Sequence, residues 1–159
     1  MRTTLLAALL AVVVAAASPA HAATSSGADV TDLQALRAAV SKDKRGYVAA
    51  TLTLSDAEAA KFWPIYDNYQ RALEVVDRRR ARAVIDLAGS DRPLSDAYAK
   101  SLSVELMSTD EAEIRARRTM QNRLMRALPA RKAARYLQLE SKIRAIEAYD
   151  IAASLPLVK

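Results

Sequence analysis

The chain contains no cysteine, and its single histidine, His21, lies near the start of the sequence. The lack of cysteine excludes disulfide bonds and thiolate nucleophiles. The scarcity of histidine leaves the chain almost without the side chain that most often acts as a general base or metal ligand near neutral pH. We therefore predict no catalytic residue, no metal ligand and no cofactor, and we expect that the protein is not an enzyme.

Residues 1–22 have the pattern of a cleavable secretory signal peptide. Arg2 supplies the positive charge, Leu5–Ala17 is an uncharged apolar run, and Ala20-His21-Ala22 is a small-x-small cleavage site. The apolar run is shorter than the ~20 residues that span a bilayer, which argues against a membrane anchor. The pattern predicts export to the periplasm and a mature chain that begins at Ala23, with a disordered tether over residues 23–30.

Glycine is scarce, since only Gly46 and Gly89 occur beyond residue 30, and no segment shows sustained strand-like alternation. Helical periodicity and capping signals predict four helices in a single domain over residues 31–154, followed by a short apolar tail at 155–159. The first helix runs from about Thr31 to Ala50. A capping box at Ser55 and Glu58 starts the second, and Gly89 caps its end.

Ser95 caps the third helix, which runs to about Leu128, although Ser108–Glu111 could start a new cap and split it. Pro129 opens the fourth helix, which fades near Ser154. Side chains at helical spacing form the expected inner face of the second helix (Phe62, Tyr66, Tyr69, Leu73, Val76, Ala83 and Leu87, interrupted by Arg80) and of the third (Tyr98, Leu102, Leu106, Ile114, Met120 and Leu124).

The fold class is therefore all-α, an elongated, hairpin-like subunit with two long helices. Such a thin body has much surface for its core, so we expect a homodimer that completes the burial of its apolar stripes. Pro64 should kink the second helix. The aromatic residues around it either pack as a plug that stabilises the kink or form an exposed surface for clients.

Basic residues are concentrated in two stretches. No acidic residue occurs between Ile114 and Leu139. One interpretation is a solvated face that keeps the protein soluble; the other, which we favour for its density, is a surface that binds anions through arginine. The candidate residues are Arg78, Arg79 and Arg82 in the second helix, and Arg115, Arg117, Arg118, Arg123, Arg126, Arg131, Lys132 and Arg135 in the third and fourth.

The predicted export argues against nucleic acid as the anionic partner. Acidic or unfolded protein clients, anionic lipid and lipopolysaccharide remain as candidates. Recognition of such clients would combine charge with nearby apolar groups, for which Met107, Met120, Met125 and the region of Trp63 are candidates.

One part of the sequence resembles a known family. The motif formed by Leu54, Ser55 and Glu58, with the residues that follow it, is similar to the Leu-Thr-x-x-Gln helix start of Spy/CpxP-like periplasmic proteins. It is closer to small exported proteobacterial proteins with a Phe-Trp-Pro-x-Tyr-x-x-Tyr signature, here Phe62, Trp63, Pro64, Tyr66 and Tyr69. Ser55 and Glu58 replace the Thr and Gln of the family motif, which keeps the capping chemistry.

The resemblance implies a helical subunit that dimerises into a curved cradle. It also implies either ATP-independent binding of unfolded proteins, as in the Spy-like branch, or restraint of an envelope-stress sensor kinase, as in the CpxP-like branch. The expected function is thus that of an exported binding protein with a chaperone or stress-adaptor role. The alternative is a structural or regulatory envelope protein that docks on a sensor domain or on an anionic lipid or lipopolysaccharide surface.

Overall fold

The computed structural model describes residues 32–88 and 94–154. They form four helices: α1 (Leu33–Leu52), α2 (Asp56–Ala88), α3 (Asp96–Ala127) and α4 (Ala130–Ser154). The all-α prediction is confirmed. The predicted signal peptide, tether, Gly89 cap and C-terminal tail lie outside the described residues, and no described helix is long and apolar enough to cross a membrane.

Helix α1 is interrupted at Asp43, whose φ of −159° and ψ of 88° are not helical. The Asp43 carboxylate accepts a hydrogen bond of 2.8 Å from the backbone N–H of Gly46 and so caps the second half of the helix. A Cβ atom at Gly46 would lie 2.1 Å from Asp43 Oδ2. Position 46 is therefore glycine because the capping carboxylate occupies the space that a side chain needs.

The capping box at the start of α2 is confirmed. The backbone N–H of Ser55 donates to Glu58 Oε2 at 2.8 Å, and the N–H of Glu58 lies 3.4 Å from Ser55 Oγ. Pro64 lies inside α2 on the exposed side. It lacks the N–H that would bond to the carbonyl of Ala60.

Helix α3 is continuous through Ser108–Glu111. The hydroxyls of Ser108 and Thr109 donate to the carbonyls of Glu105 and Leu106, three residues earlier, at 3.0 and 2.7 Å. These side chains are therefore bonded within the helix and do not start a new one. At the end of α3, Leu128 has extended backbone angles and Pro129 immediately precedes α4.

The helices pack as two pairs, with α2 against α3 and α1 against α4, and α3 also contacts α4. The core draws on all four helices, and its aromatic centre is the expected plug: the rings of Phe62 and Tyr136 lie 5.1 Å apart, edge to face. Two expectations for the inner face of α3 are wrong, since Tyr98 is 37% exposed and Ile114 is 58% exposed. Tyr98 lies at the edge of a cavity that Arg82 and Asp86 of α2 also line, so it is only partly covered.

Candidate anion-binding surface

Six of the eleven predicted basic residues are exposed and make no salt bridge within the described residues. Four of them flank the turn between α3 and α4, where two lie in the last turns of α3 and two in the first turns of α4. We call this group the turn surface; it consists of Arg123, Arg126, Arg131 and Arg135. The other two exposed residues are Arg82 on α2 and Arg118 on α3.

The N-terminus of α4 adds to the positive charge of the turn surface, whereas the C-terminus of α3, where Arg126 lies, offsets part of it. The first turn of α4 contains no acidic residue, although Arg131 and Lys132 lie there. Because the N-terminus of a helix carries a partial positive charge, basic side chains at this end are not compensated by the backbone. An anion bound near Arg131 would relieve this repulsion.

The other five predicted residues make contacts within the protein. Arg79 forms a two-pronged pair with Glu105 at 2.9 Å for both bonds and also donates to Ser108, so it joins α2 to α3. Lys132 lies 2.6 Å from Glu58 and 3.1 Å from the Thr53 carbonyl, and it joins α4 to the start of α2. Because both side chains hold helices together, we do not include Arg79 and Lys132 among the proposed client-binding residues.

The three remaining residues make weaker contacts. Arg78 pairs with Glu74 and Arg115 with Glu111, each one turn away on the same helix, and Arg117 donates to Ser141 at 2.6 Å. Exposed pairs of this kind contribute only a few tenths of a kcal/mol, roughly 0.3–0.5, so an anionic partner can compete for these arginines.

An ion network centred on a buried arginine, which sequence reasoning missed, joins three helices. Arg144 of α4 is 8% exposed, and its guanidinium lies 2.6 Å from Glu113 of α3, 2.6 Å from Glu147 and 3.2 Å from Asp77 of α2. Arg80 approaches Asp110 at 2.8 Å and Glu113 at 3.2 Å. The network explains why Arg80 interrupts the apolar row of α2. This arginine was the one feature of the sequence that pointed to the network.

Electrostatics within the network favour the charged forms of Glu113 and Arg144. Burial acts to raise the pKa of Glu113, but the hydrogen bonds from Arg144 and Arg80 outweigh it and hold that pKa below its usual value. Burial likewise opposes the charge on Arg144, yet the bonds to Glu113 and Asp77 raise its pKa. Glu113 and Arg144 thus stay ionised near neutral pH, and the network has a structural role.

Glu140 lies in a different environment one turn before Arg144 on α4. It is fully buried, and Tyr136 donates its hydroxyl hydrogen to Glu140 Oε2 at 3.1 Å. Neither Glu140 Oε1 nor the hydroxyl of Tyr69 has a hydrogen-bond partner among the described residues. Burial raises the pKa of Glu140, and the nearby Lys44 opposes this shift only in part.

An open groove of about 730 Å³ runs between α2 and the α1–α4 pair. Its charged lining is balanced, with four basic and four acidic side chains: Lys44, Arg71, Arg78, Arg144, Asp67, Glu74, Asp77 and Glu147. A mixed lining of this kind does not select anions, so the groove is a weaker candidate than the turn surface.

The candidate apolar groups divide into buried and exposed members. Met120 is 2% exposed and belongs to the core, so the expectation that it contacts clients is wrong. Met107 and Met125 are 62% and 48% exposed. Trp63 is partly buried, and the Arg45 guanidinium lies 4.0 Å from the centre of its ring, which shields that face of the indole.

Comparisons of the chain with protein-family models, with curated proteins and with solved structures find no match. The resemblance to Spy/CpxP-like proteins therefore stays a prediction that rests on the motif at Leu54–Tyr69.

Proposed function

We propose that the protein is a periplasmic binding protein, not an enzyme, with an ATP-independent chaperone or envelope-stress adaptor role. It binds acidic or unfolded clients through the turn surface. The observation that carries this proposal is the grouping of Arg123, Arg126, Arg131 and Arg135, which are exposed and make no salt bridge within the described residues; Arg126 donates only to the Asn122 carbonyl of its own helix, at 3.0 Å. Guanidinium groups bind carboxylates in a two-pronged geometry, and a group of them raises the local potential.

The test is the aggregation of a denatured acidic client, followed by light scattering at stoichiometric ratios of the purified protein. The test variant is R123E/R126E/R131E/R135E. We expect it to lose at least about tenfold in client affinity, because each lost guanidinium–carboxylate bond contributes about 1 kcal/mol or more. In the unaltered protein, protection should weaken as salt is added.

The matched control reverses four exposed basic residues elsewhere, in the variant K42E/K61E/R71E/K100E. It has the same net charge as the test variant, so a loss confined to the test variant places binding at the turn surface. Equal losses in both variants would show only a general effect of charge. No protection by the unaltered protein at any ratio or salt concentration would remove the chaperone role.

A second candidate is docking on an anionic lipid or lipopolysaccharide surface, or on the sensor domain of an envelope protein. It is favoured by Met125, which is 48% exposed and lies between Arg123 and Arg126 in the sequence. An apolar side chain among arginines suits the boundary between lipid headgroups and acyl chains. Co-sedimentation with phosphatidylglycerol vesicles, with and without lipopolysaccharide, separates this function from binding of unfolded clients.

A further inference from the structure

A carboxyl buried between the helices has one oxygen without a partner. Glu140 is fully buried, and the hydroxyl of Tyr136 donates to its Oε2, but its Oε1 has no hydrogen-bond partner within the described residues. The protonated carboxyl is neutral and tolerates this environment. The ionised form would place a negative charge beside two neutral tyrosines, Tyr136 and Tyr69, and a buried charge without a cationic partner is costly. Ionisation of Glu140 therefore requires that a cation approach it.

The titratable groups around Glu140 come from all four helices. Its tyrosine neighbours stay neutral, because burial raises their pKa values, that of Tyr66 to about 12. Glu113 of α3, which acts on Tyr69, is already paired with Arg144. Of the remaining charges, that of Lys44 acts to lower the pKa of Glu140 and that of Glu147 acts to raise it. The full set is Lys44 from α1, Tyr66 and Tyr69 from α2, Glu113 from α3, and Tyr136, Arg144 and Glu147 from α4.

The cation that acts on Glu140 is only loosely held. Lys44 Nζ lies 3.4 Å from Glu147 Oε1. Glu147 also receives the guanidinium of Arg144 at 2.6 Å, so it keeps a cation if Lys44 leaves. Lys44 lines the groove of about 730 Å³ and a second groove of about 260 Å³ between α1 and α4. Its side chain therefore has room to change position.

The backbone at Lys44 lies at the break in α1. The preceding residue, Asp43, is not helical, and its carboxylate caps the N–H of Gly46. The half of α1 before the break is tied to the end of α4 by Arg37, which meets Asp150 at 2.5 Å. A residue with non-helical angles inside a helix can absorb a change in the direction of the chain, so the half that begins at Lys44 can move separately.

We propose that Lys44 is the movable counter-ion of Glu140. While Glu140 is protonated, Lys44 rests on Glu147. When the carboxyl gives its proton to solvent, the new negative charge attracts Lys44, and the part of α1 that follows Asp43 moves with it. The buried carboxyl and the break in α1 thus form a device that converts a change of pH into a movement of one helix segment.

The residue after Lys44 connects this movement to the single tryptophan of the chain. The Arg45 guanidinium lies 4.0 Å from the centre of the Trp63 ring and also pairs with Asp67. Because Lys44 and Arg45 are adjacent, a shift of one alters the stack of the other on the indole. Trp63 emission therefore reports the position of this segment. None of these residues belongs to the turn surface, so the inference does not depend on the proposed function.

The experiment is the emission of Trp63 in the purified protein between pH 4 and pH 9. We expect one transition with a midpoint above the ordinary pKa of a glutamate, about 4.3, because burial raises the pKa of Glu140. Glu140→Gln should abolish the transition, since the amide does not ionise. The matched control is Glu111→Gln at an exposed position, which should leave the transition unchanged.

Replacement of Lys44 separates its proposed role from a general loosening of the core. In Lys44→Met the carboxyl still ionises, but no ammonium follows it, so we expect the amplitude of the emission change to fall at least about fivefold. Lys44→Arg keeps the cation and should keep the transition. Lys42→Met is the matched control, because Lys42 is exposed and precedes the break. Far-UV circular dichroism at each pH shows whether every variant is folded.

Each of four results would overturn the proposal. The emission of the unaltered protein could be constant from pH 4 to pH 9. Glu140→Gln could keep the transition, which would assign it to another titratable group. Lys44→Met could keep the full amplitude, which would mean that α1 does not follow the charge. Lys44→Arg could lose the transition, which would show that a positive charge at this position is not what responds.

Discussion

At the scale of single residues, the buried charges of α4 could not be predicted from the sequence. Tyr136 and Ile143 stand at helical spacing in α4, as expected for core residues, and both are buried. The same spacing gave no sign that Glu140 and Arg144, on the same face, are buried with them. Which charges meet depends on how three helices are placed against one another, and only Arg80 within an apolar row pointed to the network.

Replacing Glu140 with glutamine should stabilise the protein at neutral pH. The pKa of Glu140 is raised in the folded state. The protonated carboxyl of Glu140 therefore makes its full contribution to stability below the pKa of the unfolded state, about 4.3. That contribution is lost as the pH rises through the pKa of the folded state. We expect Glu140→Gln to raise the free energy of unfolding by about 1–3 kcal/mol at pH 7.5 and by much less at pH 4. Urea denaturation at both pH values measures the difference.

The exposed Glu111 provides the control for this prediction. Glu111→Gln should change the unfolding free energy by less than about 0.5 kcal/mol at either pH. If Glu140→Gln raised the free energy of unfolding equally at pH 4 and pH 7.5, the gain would not arise from ionisation of Glu140. That result would contradict a raised pKa for this carboxyl in the folded protein.

Replacing Arg144 with methionine should have the opposite effect. The change removes one of the two arginines that Glu113 and Asp77 share, while Arg80 still pairs with both, so we expect a loss of about 1–3 kcal/mol. Chemical denaturation measures the loss, with Arg118→Met, an exposed position, as the control. A loss below about 1 kcal/mol would show that solvent screens the network.

At the scale of elements, the helix ends were more predictable than the helix interiors. Capping depends on neighbouring residues alone, so Ser55 with Glu58 and Ser95 could be recognised from the sequence. The break in α1 was not predicted, although the sequence places a glycine, Gly46, inside that helix. An aspartate three residues before a glycine forms such a cap only when the intervening chain leaves helical geometry.

The break in α1 predicts coupling between Asp43 and Gly46. With Asp43→Ala already present, Gly46→Ala should stabilise the protein by about 0.5–1 kcal/mol, the usual preference of a helix for alanine. With Asp43 in place, the new methyl group displaces the capping carboxylate and that gain should disappear. A double-mutant cycle measured by thermal unfolding should give a coupling of about 1 kcal/mol. Additive effects would mean that the cap contributes nothing.

At the scale of the whole molecule, the number and approximate limits of the helices were predictable, but their pairing was not. Periodicity shows which side of a helix is apolar and leaves its partner undetermined. The inner face of α3 illustrates this, since Ile114 was expected inside and lies outside. The six basic residues without a salt bridge could not be separated from the other five by composition, because the separation depends on contacts such as that between Lys132 and Glu58.

The packing of α1 on α4 has a consequence for the order in which the chain can fold. Arg37 and Asp150, 113 positions apart, meet at 2.5 Å, whereas α2 and α3 are neighbours along the chain. The first helix leaves the ribosome long before the helix that packs on it. Until then its apolar side must be shielded by something else, so a nascent chain halted before residue 130 should be a substrate for the general holdases of its compartment.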